Sequence, residues 1–215
     1  MKELTIAQTK EMLLFTAHRV IDSKDLLTEL DSAIGDGDHG IGMALGMTHA
    51  ISALEELKDP ESVNSLFRSF GSTLLMSMGG ASGVVFGTMF QGGARKVPDS
   101  SLLDAAFLQS LLRISLDSVK RRGGAACGDK TMVDAFEPAV CAIEQAVGRD
   151  GTEDLGELLA AAEAAAHAGM EATRNYPAKL GRAKTLGDRS LGHVDAGSAS
   201  VWIIFRAMKD YVSAL

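Results

Sequence analysis

The chain has 215 residues, 46% hydrophobic and 23% charged, values near the globular average that exclude wholesale disorder and a fibrous repeat. Twenty-eight acidic against 21 basic side chains give a net charge of −7, so the basic footprint of a nucleic-acid binder is absent and no nucleic-acid partner is expected. This length suits one ordinary domain, and with only 5% aromatic residues the expected core is built from Ala, Leu and Met.

Thr5-Ile6-Ala7-Gln8 has the form of a capping box, and Leu13, Ala17, Val20 and Leu27 recur at helical spacing, predicting a first helix that runs toward Leu30. A Gly-rich stretch from Gly35 to Gly42 interrupts it, and a second helix is predicted from about Met43 to Leu57. Asp59-Pro60 reads as an N-cap followed by proline at the first helical position, opening a third helix toward Met76 that Gly79-Gly80 ends. Val84 to Gln91 favours helix over strand, because Ala81, Val85, Thr88 and Met89 share one face. Ser101-Leu102-Leu103-Asp104 again has capping-box form, and the stripe Leu103, Phe107, Leu111, Ile114 runs on to Gly123-Gly124. Thr131 to Val147 is a further helix, with Pro138 kinking it or marking its first turn. Thr152 to Arg174 is Ala-rich and helical, and the last helix spans roughly Gly197 to Val212. Eight helices with no convincing period-two strand predict an all-α bundle, with the 23 glycines placed in connections instead of helix interiors. No linker, low-complexity tract or repeat divides residues 1–215, which read as a single domain.

Cys127 and Cys141 are too few for a disulfide framework and lack the paired spacing of a zinc site, so a reducing cytoplasm is expected. Met1-Lys2-Glu3-Leu4 does not open a leader, and no run approaches the length of a membrane span, so no membrane association is expected.

Asp31, Asp36 and Asp38 stand at i, i+5 and i+7 on a backbone made pliable by Gly35, Gly37 and Gly40. Three like charges this close repel unless cations neutralise them, and hard oxygen ligands select Mg²⁺ or Ca²⁺ over zinc. The plainer alternative is a solvated acidic turn containing two helix N-caps. Gly35-Asp36-Gly37-Asp38-His39-Gly40 matches G-x-G-x-x-G, but it follows a helix and its carboxylates would repel a pyrophosphate without metal. An EF-hand beginning at Asp36 fails, because Gly40 and Met47 stand where ligands are needed.

Ser77-Met78-Gly79-Gly80-Ala81-Ser82-Gly83 offers backbone N–H groups and a hydroxyl just before a helix, a way to hold phosphate without cationic side chains; a plain interhelix turn is the alternative. No Walker A sequence is present, the nearest approach being Gly124 to Thr131, where Asp129 intrudes. The long loop from Gly181 to Ser198 carries Arg182, Lys184 and Arg189, which can meet phosphates, and Asp195, which can cap the final helix or bind a ribose. His18, His49, His167 and His193 read as surface or structural residues, and Met132 and Met78 as adenine-facing or core.

Ile34 to Gly40, Gly79 to Gly83, Gly128-Asp129-Lys130-Thr131-Met132 and Leu186 to His193 together resemble the nucleotide-binding L subunit of dihydroxyacetone kinase, in the family's order and over nearly the whole chain. The resemblance implies a barrel-like bundle of eight antiparallel helices with the nucleotide, ADP or ATP, at one end. It implies that Asp31, Asp36 and Asp38 hold two Mg²⁺ ions bridging the phosphates. It further implies that His39, Gly40, Ile41, Gly42, Ala81 and Ser82 lie along the phosphates, that Gly123, Met132 and Arg182 surround the nucleotide, and that Asp195 with Gly197 belongs to the closing loop. Gly42 stands where relatives often carry Asn or Thr, and Ala196 where they often carry Pro.

In the family the sugar is held covalently on a histidine of a partner K subunit. In phosphotransferase-coupled systems bound ADP is recharged by a phosphohistidine on an M subunit, and a homodimer is expected. Other readings of the same fold are a kinase for a ketose such as erythrulose, the nucleotide domain of a fatty-acid kinase, and a nucleotide-sensing partner of a transcription factor. The blandest is a Mg²⁺-binding helical domain without catalysis.

Overall fold

The computed structural model describes residues 1–148 and 151–215. The first helix opens on the expected capping box: Gln8 donates its backbone N–H to the Thr5 hydroxyl at 3.3 Å, and the Thr5 N–H donates to the Gln8 side chain at 3.0 Å. The apolar period that follows does not belong to one helix. Helix α1 (Ile6–Asp22) stops at Ser23, whose N–H donates to the Val20 carbonyl at 3.1 Å in a tightened last turn, and α2 (Lys24–Ile34) starts afresh. Leu27 keeps the period across the break, which hid it.

Helix α3 (His39–Glu56) begins earlier than expected, and α4 (Val63–Ser77) later. Ser62, not Asp59, caps α4: its hydroxyl accepts from the Ser65 N–H at 3.1 Å, and Pro60 stays outside the helix. Helix α5 (Gly80–Ala94) confirms the helical reading of that segment. Before α6 (Ala105–Gly123) the cap is Asp104, accepting from Phe107 N–H at 2.8 Å. The residues read as a capping box there form β2 (Leu102–Asp104) instead, pairing antiparallel with β1 (Glu3–Thr5) so that buried Leu4 and Leu103 face each other. Strands of three residues are too short to display a period of two.

Pro138 lies inside α7 (Val133–Asp150). A proline there withdraws the partner of the Asp134 carbonyl, and α8 (Leu155–Ala172) answers with Gly169, where a Cβ would come within 2.0 Å of that oxygen. Helix α8 starts on an Asp154 cap, three residues later than read from the sequence, and α9 (Ala196–Ser213) matches to within a residue at each end.

The helices close a ring. In order around it, α1 packs on α3, α3 on α4, then α5, α6, α7, α8 and α9 follow, and α9 returns to α1. That is the eight-membered barrel the resemblance implied, and α2 lies outside it against α3 and α9. The glycines depart from expectation, since several mark helix crossings instead of loops. A Cβ on Gly71 would sit 2.6 Å from the Gly87 carbonyl oxygen, and one on Gly93 would sit 1.9 Å from that of Leu111. Absent side chains let the backbones of α4, α5 and α6 approach where a bulkier chain would use aromatic filling. The core is not purely Ala, Leu and Met either, because Phe67, Phe70, Phe86, Phe90, Phe136 and Phe205 are all fully buried. No helix among the described residues is long and apolar enough to cross a membrane.

The α2–α3, α4–α5, α6–α7 and α8–α9 connections gather at one end of the ring, and the two short strands with the α3–α4, α5–α6 and α7–α8 connections gather at the other. Replacing Gly93 by Ala is expected to cost about 1–3 kcal/mol of stability by overpacking. Gly42→Ala, inside α3 with nothing within 4 Å of the new methyl, serves as the control without overpacking and is expected to be unchanged or slightly more stable; urea unfolding of both variants checks the contrast.

Candidate functional site

Asp31 lies in the last turn of α2, the negative end of the helix dipole, where a carboxylate is least welcome without a cation. Gly35 closes tightly on it: its N–H donates to the Asp31 carbonyl at 2.5 Å, and a Cβ would come 2.3 Å from Asp31 Oδ1. Gly37 then turns the chain at φ +77°, a conformation side chains resist, and delivers Asp38 to the N-cap position of α3. The Asp38 carboxylate makes no capping bond there. It is left to join Asp31 and Asp36, and one oxygen of each lies within 4.8 Å of the others. The acidic turn is therefore not a pair of N-caps. Its all-carboxylate donor set suits a hard cation such as Mg²⁺. A cationic group already sits against it, because the Arg182 guanidinium pairs with Asp36 and lies 3.6 Å from Asp38 Oδ2.

His39 turns into the bundle, where Nε2 is 2.8 Å from the Ser200 hydroxyl of α9 and the ring leans on Phe86 of α5. Burial lowers its pKa against the pull of Asp31 and Asp38, so it is a neutral tie between helices. Its own N–H points back to Asp31 Oδ2 at 3.3 Å. A Cβ on Gly40 would meet the Lys24 carbonyl at 2.2 Å, so this glycine lets α3 rest on α2. Ile41 is exposed, and Gly42 faces open space.

The contact between Phe86 and His39 brings the start of α5 beside the start of α3. Gly79, Gly80 and Ala81 are exposed there, Ser82 is half-buried, and α5 begins with no side-chain cap. Gly123, at the end of α6, approaches Val85 of α5, with 3.6 Å between an added Cβ and Val85 Cγ1. Met132 is buried at the N-cap position of α7, and Gly197 of α9 lies against it. Asp195 caps α9, accepting from the Ser198 N–H at 2.7 Å. Its side chain is partly exposed, yet desolvation pushes its pKa up to about 7, with Asp134 and Asp31 adding repulsion against the pull of the Ser198 N–H and Lys130. Arg182 is exposed on the 3-10 segment Arg182–Ser190, as are Lys184 and Arg189. Met78 packs on Gly46 in the core. An open hollow of about 530 Å³ bordered by Ile6, Lys10 and Pro60 lies at the opposite end, and none of these site residues borders it.

Sequence reading missed Lys130, Asp134 and Thr173, which are buried between the α6–α7 turn and the α8–α9 loop. Asp134 accepts from Gly128 N–H at 2.5 Å and Thr131 N–H at 2.7 Å, and burial raises its pKa. Lys130 donates to the carbonyls of Thr173 and His193. Lys130 was visible within a quoted motif, but nothing in the sequence marks Thr173 as its partner.

A family model described as "DAK2 domain" matches residues 33–210. The chain belongs to the DAK2 domain family. This DAK2 chain is 40% identical over 190 residues to the "PEP-dependent dihydroxyacetone kinase 1, ADP-binding subunit DhaL" of Listeria innocua, covering 88% of each chain. It is 35% identical over 184 residues to the corresponding Escherichia coli K12 ADP-binding subunit, covering 86% of each. Its fold is similar to the dihydroxyacetone kinase of C. freundii solved with AMP-PNP and Mg²⁺, with a TM-score of 0.71 and 26% identity over 95% of this chain. The match spans 34% of that longer kinase.

Asp195 gives the DAK2 site a pH signature. Its folded pKa of about 7 lies above the ordinary 3.8, so the folded protein holds the proton more tightly. Its contribution to stability is full below about pH 4 and is lost as the pH rises toward about 7. Asp195→Asn keeps the cap and cannot ionise, so its melting temperature is expected to gain on the parent progressively between about pH 4 and about pH 8. Thermal melts of both nucleotide-free proteins across that range check it.

Proposed function

We propose that the chain is the ADP/ATP-binding subunit of a dihydroxyacetone kinase, presenting nucleotide phosphate to dihydroxyacetone held covalently on a partner K subunit. The observation that carries this reading is the cluster of Asp31, Asp36 and Asp38 beside the uncapped start of α5. In this reading the three carboxylates would hold two Mg²⁺ ions, and the metal would supply neutralisation of the charge that spreads over the phosphoryl oxygens during transfer. Around it, Ser82 and the N–H groups at the head of α5 take phosphate oxygens, as do those of Gly40 and Ile41 at the head of α3; His39 and Gly42 lie beside them with their own N–H groups directed at Asp31 and the Asp38 carbonyl. Gly123, Met132, Asp195 and Gly197 line the remainder of the nucleotide, and Arg182 closes over it.

Neither Cys127 nor His39 is poised as a nucleophile. Cys127 bonds to Glu137, and burial, that hydrogen bond and the neighbouring carboxylates push its pKa up to about 12, while His39 is engaged by Ser200. Transfer then passes directly from nucleotide to an acceptor brought by another chain, which favours a divided kinase. The PEP-dependent naming of the Listeria innocua relative supports ADP that stays bound and is recharged by the phosphohistidine of an M subunit. We place residues 1–215 in one domain, acting as a homodimer in the cytoplasm; both cysteines are free, as that compartment favours.

Asp36→Ala and Asp38→Ala are each expected to abolish the rise in melting temperature that Mg·ADP produces, and an undiminished rise refutes the reading. Arg182→Ala has opposed effects in the same system: metal alone binds more tightly once the competing guanidinium is gone, while ADP binds less tightly, both measured by calorimetry. Recharging has its own check in the reconstituted complex. Phosphoenolpyruvate with the phosphotransferase proteins is expected to sustain turnover that ATP alone does not, and equal rates overturn the recharging step.

A further inference from the structure

The junction between the α6–α7 turn and the α8–α9 loop holds a charge that the proposed function leaves unused. Lys130 is 2% exposed, and an ammonium so placed is costly unless its donors find acceptors. Its Nζ reaches the Thr173 carbonyl at 2.5 Å and the His193 carbonyl beside it. Its backbone stands at φ +59°, and among the described residues it is the only non-glycine with positive φ. Glycine would relieve that strain, and methionine would fill much the same volume without a charge. A position that keeps both costs is a candidate for a role beyond packing.

The role is geometric. Thr173 follows the last residue of α8, so the ammonium lies on the negative end of that helix. The Thr173 hydroxyl donates to the Met170 carbonyl at 2.6 Å and accepts from the Asp195 N–H at 3.0 Å. Asp195 caps α9 and leads into Gly197, where an added Cβ would lie 3.5 Å from both Cβ and N of Met132. Met132 is two residues beyond Lys130, so the path from Lys130 through Thr173, Asp195 and Gly197 to Met132 closes on itself. On its other side the turn is secured by Asp134, which accepts from the Gly128 and Thr131 N–H groups, and by Lys179, whose ammonium meets Asp129 at 2.9 Å.

We propose that Lys130 is a positioning residue for the nucleotide: its buried ammonium closes this circuit and fixes the spacing between Met132 and Gly197. The proposal rests on the nucleotide reading given above. It assigns Lys130 to the half of the site built from the starts of α7 and α9, and leaves the acidic loop to stand without it.

The test uses two probes, Mg·ADP followed by calorimetry and Mn²⁺ alone followed by electron paramagnetic resonance, on the parent, Lys130→Met, Thr173→Val and the double variant. Lys130→Met is expected to weaken Mg·ADP by at least about tenfold, and Thr173→Val by several-fold, because a preorganised site loses its spacing. Mn²⁺ affinity stays within about twofold of the parent in each, and the double variant loses less than the product of the two single effects, since both break one circuit. Unchanged Mg·ADP affinity in a folded variant overturns the proposal. So does a parallel loss of Mg·ADP and Mn²⁺, which marks a general structural role. If Lys130→Met does not fold, Thr173→Val decides by the same two measurements. A parent that binds no Mg·ADP refutes the nucleotide reading and this proposal with it, whereas a binding parent with unaffected variants refutes the clamp alone.

Discussion

Repulsion among Asp31, Asp36 and Asp38 is the constraint around which this end of the molecule is arranged. Two unit charges 4.8 Å apart repel by about 1 kcal/mol in bulk water and by about 3–4 kcal/mol at the effective dielectric of a protein surface. Three such pairs are tolerable only with a positive counterpart at hand. Arg182 is one counterpart, drawn from a loop distant in sequence. The heads of α3, α5, α7 and α9, all at this end, add the positive ends of their dipoles. The net charge of −7, which by itself speaks against holding a polyanion, reverses its meaning in the proposed function, where part of the acidity is the seat for cations that a polyanion requires.

The two ends of the ring differ in how their helices begin. At the end away from the acidic loop, Thr5, Ser62, Asp104 and Asp154 each cap a helix through the side chain. Caps of this kind contribute about 0.5–2 kcal/mol apiece, so that end carries much of the local helix stability. At the acidic end α3, α5 and α7 start with no side-chain cap. In α5 the first N–H groups forgo that stabilisation and stay available to an anion, as do those of Gly40 and Ile41 in α3, whereas in α7 the Val133 N–H donates to the Thr131 hydroxyl at 3.2 Å and the Asp134 N–H to the Thr131 carbonyl at 3.0 Å. Of these ring helices only α9 is capped there by its N-cap side chain, Asp195, whose pKa is raised first by desolvation and further by repulsion from Asp134 and Asp31.

What the sequence disclosed follows from distance along the chain. The acidic loop was legible because its carboxylates and glycines are consecutive and their repulsion can be argued from spacing alone. Most helices were legible from apolar period, but a period says nothing about direction, so the break at Ser23 passed unseen while Leu27 kept the count. The helix-interior glycines were misread because their purpose is a neighbour's backbone, as with Gly93 against Leu111. The junction of Lys130, Thr173 and Asp195 joins residues up to 65 positions apart, and no local pattern announces it.

The outlying helix α2 explains why the acidic half and the Met132–Gly197 half of the site have different mechanical footings. Asp31 and the loop after it hang from a helix that is not a member of the ring. Its seat is the backbone contact at Gly40, where an added methyl would meet both the Lys24 carbonyl and the Thr28 N–H, at 2.2 and 2.6 Å. Beside that contact the Thr28 hydroxyl is the one buried side-chain polar atom without a partner among the described residues, a cost accepted for close approach. Met132 and Gly197, by contrast, head two ring helices and are flanked by partly buried polar bonds, from the Thr131 N–H to Asp134 and from the Ser198 N–H to Asp195. The acidic loop therefore rests on an outlying helix through a single close backbone contact, whereas the other half is built into the ring itself.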